Sequence, residues 1–313
     1  PAHRDPNDAA DRAEMAQHWG VPALPAAPGL TAIELFEALA DGRVKALWIA
    51  CTNPAHSLPQ QAQVRAALRA AQFVVVQEAY ADTETVAFAD LLLPAASWGE
   101  KEGTVTNSER RISRVRAAVP PPGQARPDWA IAADFAQRLA ARLGRGAEGF
   151  RFGDAAAVFA EHAALSRGRD CDISGLSHTL LDERGPQQWP FSAGARSGTP
   201  RLFTDRRFAT PDGRARFAPI GFAQPHALLP EAPSAERPLL LISGRARDQW
   251  HGMSRSGKIP ALSGHLPRAE LALHPLELAR HGLKAGTLAR VASARGELVL
   301  PLAADDSVAA GCA

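Results

Sequence analysis

The stretch "ALWIACTNPAHSLPQQAQVRAALRA", Ala46 to Ala70, decides the reading of the fold. An apolar run, Ala46–Ala50, stops at Cys51-Thr52-Asn53-Pro54. Pro59 then opens a helix reaching to Ala71, with Val64, Ala67 and Leu68 on one face. Upstream, "TAIELFEALADG" carries a capping box, Thr31 with Glu34, then an apolar face of Ile33, Leu35, Phe36 and Leu39, and a closing Gly42. The strand itself spans Val44–Ala50. Downstream, Phe73–Gln77 is a second buried strand, Asp82–Ala89 a short helix, and Leu91–Leu93 a third strand ended by Pro94. Strands alternating with helices predict a parallel α/β sheet. In such sheets ligands bind at the loops that follow the strands' carboxyl ends.

Working outward, residues 1–30 read as loop with one short helix. Ile112–Val115 reads as an extended piece, and "VPPPGQARP" as a rigid linker. Asp128 caps a helix to Leu143, closed by Gly144. Phe152–Ala164 is a further helix, and residues 166–200 read as irregular. "RLFTDRRFATPDGRARF" reads as a hairpin around Pro211-Asp212-Gly213. After the Pro- and charge-rich "LLPEAPSAERP" (228–238) the texture changes. Short β-like runs follow at Leu239–Ser243, Leu271–Leu273, Leu288–Ser293 and Glu297–Pro301, with a short helix near Pro275–Arg280. That pattern predicts a small β-barrel or sandwich. The expected division is residues 1–227 and 237–313.

Composition narrows the class. The chain has 313 residues, 46% hydrophobic and 22% charged, as in a soluble globular protein with room for two domains. A formal net charge of +2 gives no footing for nucleic acid as the main partner. The cluster Arg110, Arg111, Arg114 and Arg116 is local, and Arg110 and Arg111 are expected to pair with nearby carboxylates. Cys51, Cys171 and Cys312 form no CxxC pair, so the sequence predicts no disulfide framework, iron–sulfur site or zinc site of its own. No apolar run approaches the roughly 20 residues of a membrane span. The chain opens on Pro1 in a polar stretch, and we read it as a piece of a longer polypeptide.

Four stretches carry chemistry. Thr52-Asn53-Pro54 reads either as a plain turn or as a loop donating to phosphate or ribose oxygens. Gln77-Glu78 is either a solvated strand end or a contact to a ribose hydroxyl or base edge. In "EKEGTVTNSERR", Glu100–Arg111, Lys101 is a candidate phosphate or base contact, against the alternative of a solvated loop. "SGRARDQWHGMSRSG", Ser243–Gly257, gathers Arg245, Arg247, Gln249, Trp250, His251 and Arg255 among small residues, with fork donors for an anion and a ring pair for a planar heterocycle. Here the ligand-binding reading is preferred. His265, His274 and His281 lack metal-ligand spacing and read as exposed or capping residues.

Taken in order, "CTNP", "QEAYADTETVAFADLLLPAASWGEKEGTVTNSERRISRV", "ARPDW" and "SGRARDQWHGMSRSG" resemble the molybdopterin dinucleotide oxidoreductases, over nearly the whole chain. "RDQWHGMSRSG" and "GPQQWPF" look most like the assimilatory nitrate reductases. The resemblance implies a parallel-sheet, dinucleotide-binding α/β domain followed by a truncated double-psi β-barrel. By motif, Asn53, Gln77, Glu78, Lys101 and Asp128 would contact the nucleotide of a molybdopterin guanine dinucleotide. Ser243, Gly244, Arg245, Gln249, Trp250, His251 and Gly252 would line its pterin or pyrophosphate. The implied cofactors are molybdenum bis(molybdopterin guanine dinucleotide) and a [4Fe–4S] cluster. The cluster's cysteines and the molybdenum ligand would lie in an N-terminal part outside this sequence. The implied activity is cytoplasmic reduction of nitrate, fed by an electron-donor protein or domain, with neither nucleic acid nor membrane as partner. A formate dehydrogenase-like enzyme, or a scaffold subunit that kept the fold, are the alternatives.

Overall fold

The computed structural model describes residues 2–217 and 232–313. Contacts group them into two units, Pro1–Arg216 and Phe217–Ala313. The expected junction at 228–238 falls partly outside the described residues. Among the described residues, no helix is long and apolar enough to cross a membrane.

The first unit opens with α1 (Ala9–His18) and α2 (Ala32–Ala40), the latter started by the expected Thr31–Glu34 capping box. Then come β1 (Ala46–Ala50), α3 (Pro54–Ser57), α4 (Gln61–Ala70), β2 (Phe73–Glu78) and β3 (Leu91–Pro94). The three strands form one parallel sheet in the order β1-β2-β3, as the alternation predicted. Successive strand side chains point to opposite faces. Leu47 and Ile49 therefore join Leu39, Val64, Leu68, Val74 and Val76 in a core under α2 and α4. Trp48, between them, turns the other way and meets Phe135 edge-on, with ring centroids 4.9 Å apart. Each fully buried aliphatic side chain here contributes about 1.5–3 kcal/mol.

Phe135 belongs to α5 (Asp128–Arg142), introduced by β4 (Gly103–Thr106) and β5 (Arg111–Val115). The backbone before α5 is tied to the end of β3: Ala96 N–H donates to the Arg126 carbonyl at 2.8 Å, and Arg126 N–H to the Pro94 carbonyl at 3.1 Å. This tie sets the first turn of α5 over the strands' carboxyl ends. Next are α6 (Ala155–Leu165), α7 (His178–Arg184) and β6 (Gln187–Gln188). Strands β4-β5-β6 make an antiparallel sheet, beside a core of Ile112, Phe159, Leu181 and Phe191.

Several expectations need correction here. Residues 86–88 form only a single 3-10 turn, not a helix from Asp82 to Ala89. Asp128 is the first residue of α5, and Pro127 stands at the cap. The segment 166–200 holds α7 and β6, and residues 103–106 pair as a strand rather than lying as a solvated loop. Gly103-Thr-Val-Thr is too short and too polar for its alternation to stand out. No strand pair forms in 201–217; the chain makes tight turns, closed by Phe208 N–H on the Gly213 carbonyl at 3.0 Å. Arg111 does pair with Glu109, but Arg110 donates to the carbonyls of Trp189, Thr199 and Pro200, with its guanidinium 5.3 Å from the Trp189 ring centroid.

The second unit contains α8 (Pro260–Ser263), β7 (Leu271–Leu273), α9 (Pro275–Arg280), β8 (Leu288–Ala292) and β9 (Glu297–Ala304). One mixed sheet, ordered β7-β9-β8, packs Leu271, Leu273 and Leu302 against Leu278. No barrel closes among the described residues. The expected strand Leu239–Ser243 is reduced to a bridge between Leu240 and Cys312. His274 caps α9, its Nδ1 accepting from Leu276 N–H at 3.1 Å.

Candidate functional site

The carboxyl ends of β1 and β2 and the first turn of α5 border an open, shallow cleft of about 440 Å³. Trp48, Ala50, Cys51, Gln77, Asp128, Trp129 and Ala132 line it. The size lies within the roughly 300–1,000 Å³ of ligand pockets. Asp128 is its centre. One carboxylate oxygen accepts from Gln77 Nε2 at 2.8 Å, and the other from Lys101 Nζ at 2.7 Å. Cys51 Sγ is 4.0 Å from the Gln77-bound oxygen. Burial pushes the carboxyl's pKa up, but the hydrogen bonds from Lys101 and Gln77 more than offset it and hold the group below its ordinary 3.8. Asp128 is therefore an anion near neutrality, with lone pairs left over for a ligand's N–H or O–H groups.

Three of the expected nucleotide residues, Gln77, Lys101 and Asp128, are thus brought together from three separate elements. The other two stand differently. Glu78 turns onto its own loop, where Oε1 accepts from Ala79 N–H at 2.7 Å and Tyr80 N–H at 3.3 Å. The Asn53 amide is occupied by the following crossover: Nδ2 donates to Glu84 Oε2 at 2.7 Å, and Oδ1 accepts from Thr85 N–H at 3.1 Å and Thr85 Oγ at 2.5 Å. Sequence reasoning missed Trp48 and Trp129, whose positions in the cleft depend on sheet facing and on where α5 docks. It also assigned nothing to Glu84 and Thr85, although the "ADTET" that holds them was part of the recognised pattern.

In the second unit, Ser243, Gly244 and Arg245 are exposed. Buried Ser256 holds the turn after them: its Oγ donates to Gln249 Oε1 at 2.8 Å and accepts from Trp250 N–H at 2.9 Å. Gln249 Nε2 reaches the Leu262 carbonyl at 3.2 Å. Gln249 thus braces the loop from within. Trp250, 64% exposed, and His251 meet edge-on at 4.6 Å, with His251 in the left-handed region at φ +47° and Gly252 next in the turn. The loop therefore offers an aromatic pair and an exposed guanidinium.

Elsewhere in the first unit, a cavity of about 230 Å³ between α2 and α4 is lined mainly by apolar residues such as Ile33, Phe36 and Leu58. Glu37, Gln60 and Gln63 are its polar lining residues. His3, Asp170 and Cys171 place potential metal-ligating atoms within 4.8 Å of one another. The exposed His3–Asp170 hydrogen bond at 2.9 Å accounts for that approach without an ion.

A parallel sheet with its cleft at the strands' carboxyl ends, centred on an anionic acceptor, is the arrangement in which α/β proteins bind ligands. Comparison with known proteins makes the assignment specific. Residues 6–138 match the molybdopterin oxidoreductase family, and residues 239–313 match the molydopterin dinucleotide binding domain. The chain belongs to the molybdopterin oxidoreductase family. It is 42% identical to a nitrate reductase of Klebsiella oxytoca over 95% of its length and 34% of that protein's. It is 35% identical to the assimilatory nitrate reductase catalytic subunit of Bacillus subtilis, over 96% of its length and 41% of that subunit's. The chain thus spans about a third to two fifths of these two relatives. Among solved structures, acetylene hydratase from Pelobacter acetylenicus superimposes with a TM-score of 0.64 over 89% of this chain and 38% of that one, at 21% identity, a likeness of fold.

Family membership implies a molybdenum–pterin cofactor. The donor set fits one. The backbone N–H groups of Thr52 and Asn53 have no hydrogen-bond partner among the described residues, and they directly follow Cys51, which lines the cleft with Asp128, Trp48 and Trp129. Those are groups a nucleotide can use.

Proposed function

We propose that this chain is the dinucleotide-holding part of a molybdenum enzyme that reduces nitrate to nitrite. The observation that carries the proposal is the Gln77–Asp128–Lys101 cluster in the cleft of a chain 35–42% identical to nitrate reductases. The Asp128 carboxylate suits a base that presents adjacent N–H donors, as guanine does, and Lys101 keeps the carboxylate ionised. Trp48 and Trp129 supply flat apolar walls, and the free N–H groups of Thr52 and Asn53 suit phosphate or sugar oxygens. Arg245, Trp250 and His251 would take the pterin or pyrophosphate end, with Ser243, Gly244 and Gly252 allowing close backbone approach. When bound, the molybdenum–pterin group supplies the two-electron redox chemistry, while these residues bind and orient it.

The finer reading follows the same line. The group is a bis(molybdopterin guanine dinucleotide), electrons arrive through a [4Fe–4S] cluster from a donor protein or domain, and the enzyme is cytoplasmic. Residues 1–227 form the α/β part. Residues 237–313 begin a double-psi barrel in which β7, β8 and β9 are the first strands.

The test uses the full-length enzyme. Molybdenum and pterin content are measured, then nitrate reduction with a reduced-dye donor. Bound metal with nitrate turnover is the expected result. Bound metal without nitrate turnover would move the substrate to formate or another small molecule. Absence of metal and pterin would overturn the proposal in favour of a scaffold.

A further inference from the structure

Asn53 is the cap residue of α3, yet its side chain makes no capping bond. It crosses instead to the segment after β2. Thr85, 1% exposed, does the capping from there: its hydroxyl donates to Asn53 Oδ1 and accepts from Ala55 N–H at 3.1 Å. Glu84 holds the other end of the amide at 2.7 Å, and its second oxygen lies 3.1 Å from His56 Nδ1. The N–H groups of His56 and Ser57 close on the Asn53 carbonyl. The Asn53 amide and carbonyl are thus fully engaged, whereas the N–H groups of Thr52 and Asn53 have no hydrogen-bond partner among the described residues. Just before them, Cys51 leaves β1 in the left-handed region at φ +62°, a conformation that a residue with a Cβ holds only when its surroundings enforce it.

We propose that Glu84 and Thr85 are positioning residues for the ligand loop, acting through Asn53: they clasp its amide so that the backbone N–H groups of Thr52 and Asn53 face the ligand. The inference rests on the nucleotide-binding reading above. It departs from the motif-based expectation for Asn53, because the amide is engaged by Glu84 and Thr85 and so acts on the nucleotide through the backbone. Glu84 accepts both from Asn53 and from His56, and the first of these hydrogen bonds is the main cause holding its carboxyl below the ordinary 4.5. The clasp is thus a charge-assisted contact between two loops about 30 residues apart in sequence.

Exchanging donor and acceptor tests it, with guanosine diphosphate as the probe and the 313-residue chain as the protein. Calorimetric affinity and thermal melting are measured together. Asn53→Asp sets two carboxylates against each other, and should weaken binding about tenfold or more. Glu84→Gln should weaken it less. The double variant restores the pattern with roles reversed, since a carboxylate at 53 accepts both from Thr85 and from a side-chain amide at 84. Its affinity should return to within about threefold of the parent. Thr85→Val should lose affinity where Thr85→Ser keeps it, a comparison that stands even if Asn53→Asp fails to fold.

A double variant that melts like the parent but binds as weakly as Asn53→Asp would mean that the Asn53 amide touches the nucleotide itself, and the inference fails. So would equal affinities for Thr85→Val and Thr85→Ser. A parent chain that binds no guanosine diphosphate up to about 1 mM would overturn the nucleotide reading, and this inference with it.

Discussion

Removing the Lys101–Asp128 ion pair tests the centre of the cleft. Lys101→Met keeps most of the aliphatic stem and deletes the charge. Asp128→Asn keeps an oxygen for Gln77 Nε2 and deletes the other. A hydrogen bond between charged groups is worth about 1.5–3 kcal/mol, and an exposed ion pair only about 0.2–1 kcal/mol. Lys101 and Asp128 are 26% and 32% exposed at the side chain, and their atoms are 2.7 Å apart, so the pair sits between these limits. We expect a coupling energy of about 1–2 kcal/mol from urea denaturation of both single variants and the double at pH 7. The pH dependence has a definite sign. The Asp128 pKa is depressed on folding, so its contribution is fully present above the ordinary 3.8 and is lost as the pH falls through the lower folded value. The stability gap between the parent and Lys101→Met should be flat from pH 7 to about pH 5 and close below pH 4. Additive single-variant losses at pH 7 would refute the reasoning, because the contact would then be geometry without coupling.

Other consequences are equally direct. A Cβ at Gly175 would lie 2.4 Å from the Ser192 carbonyl oxygen and 2.8 Å from the ring of fully buried Phe191, so Gly175→Ala should lose about 2 kcal/mol or more in urea denaturation. Trp250→Ala should leave stability within about 0.5 kcal/mol, because the ring is exposed, yet lower the molybdenum content of the full-length enzyme. Glu14 is held at a pKa of about 2, first by its hydrogen bond from Arg4 and then by that from Arg169. The difference in melting temperature between the parent and Glu14→Gln should therefore hold above pH 4.5 and vanish as the pH falls towards 2, read by circular dichroism.

Much of this was legible in the sequence. The apolar runs at 46–50, 73–77 and 91–93 read as strands from their length and their flanking turn residues, and the capping box at Thr31 and the helix at 275–280 rest on residues adjacent in the chain. These are local signals, because hydrophobic period and capping chemistry act within a few residues. The flexible-looking stretches were harder. Residues 103–106 and 187–188 are strands only because each finds β5, and such pairings leave little trace in a short polar segment. Asp128 shows the same limit at a single side chain. Its place before an apolar helix reads as a cap, but the docking of α5 on the end of β3 turns the carboxylate towards Gln77 and Lys101.

The sequence by itself determined the parallel α/β start and the family, because order and pattern along the chain are enough for those. Tertiary structure alone decided which residues meet. Gln77, Lys101 and Asp128 converge because the end of β2, the segment before β4 and the start of α5 meet there, and Asn53 turns to Thr85 and Glu84 because the next crossover passes beside it. Hydrogen bonds reach about 3 Å, whereas these partners are separated by tens of residues along the chain.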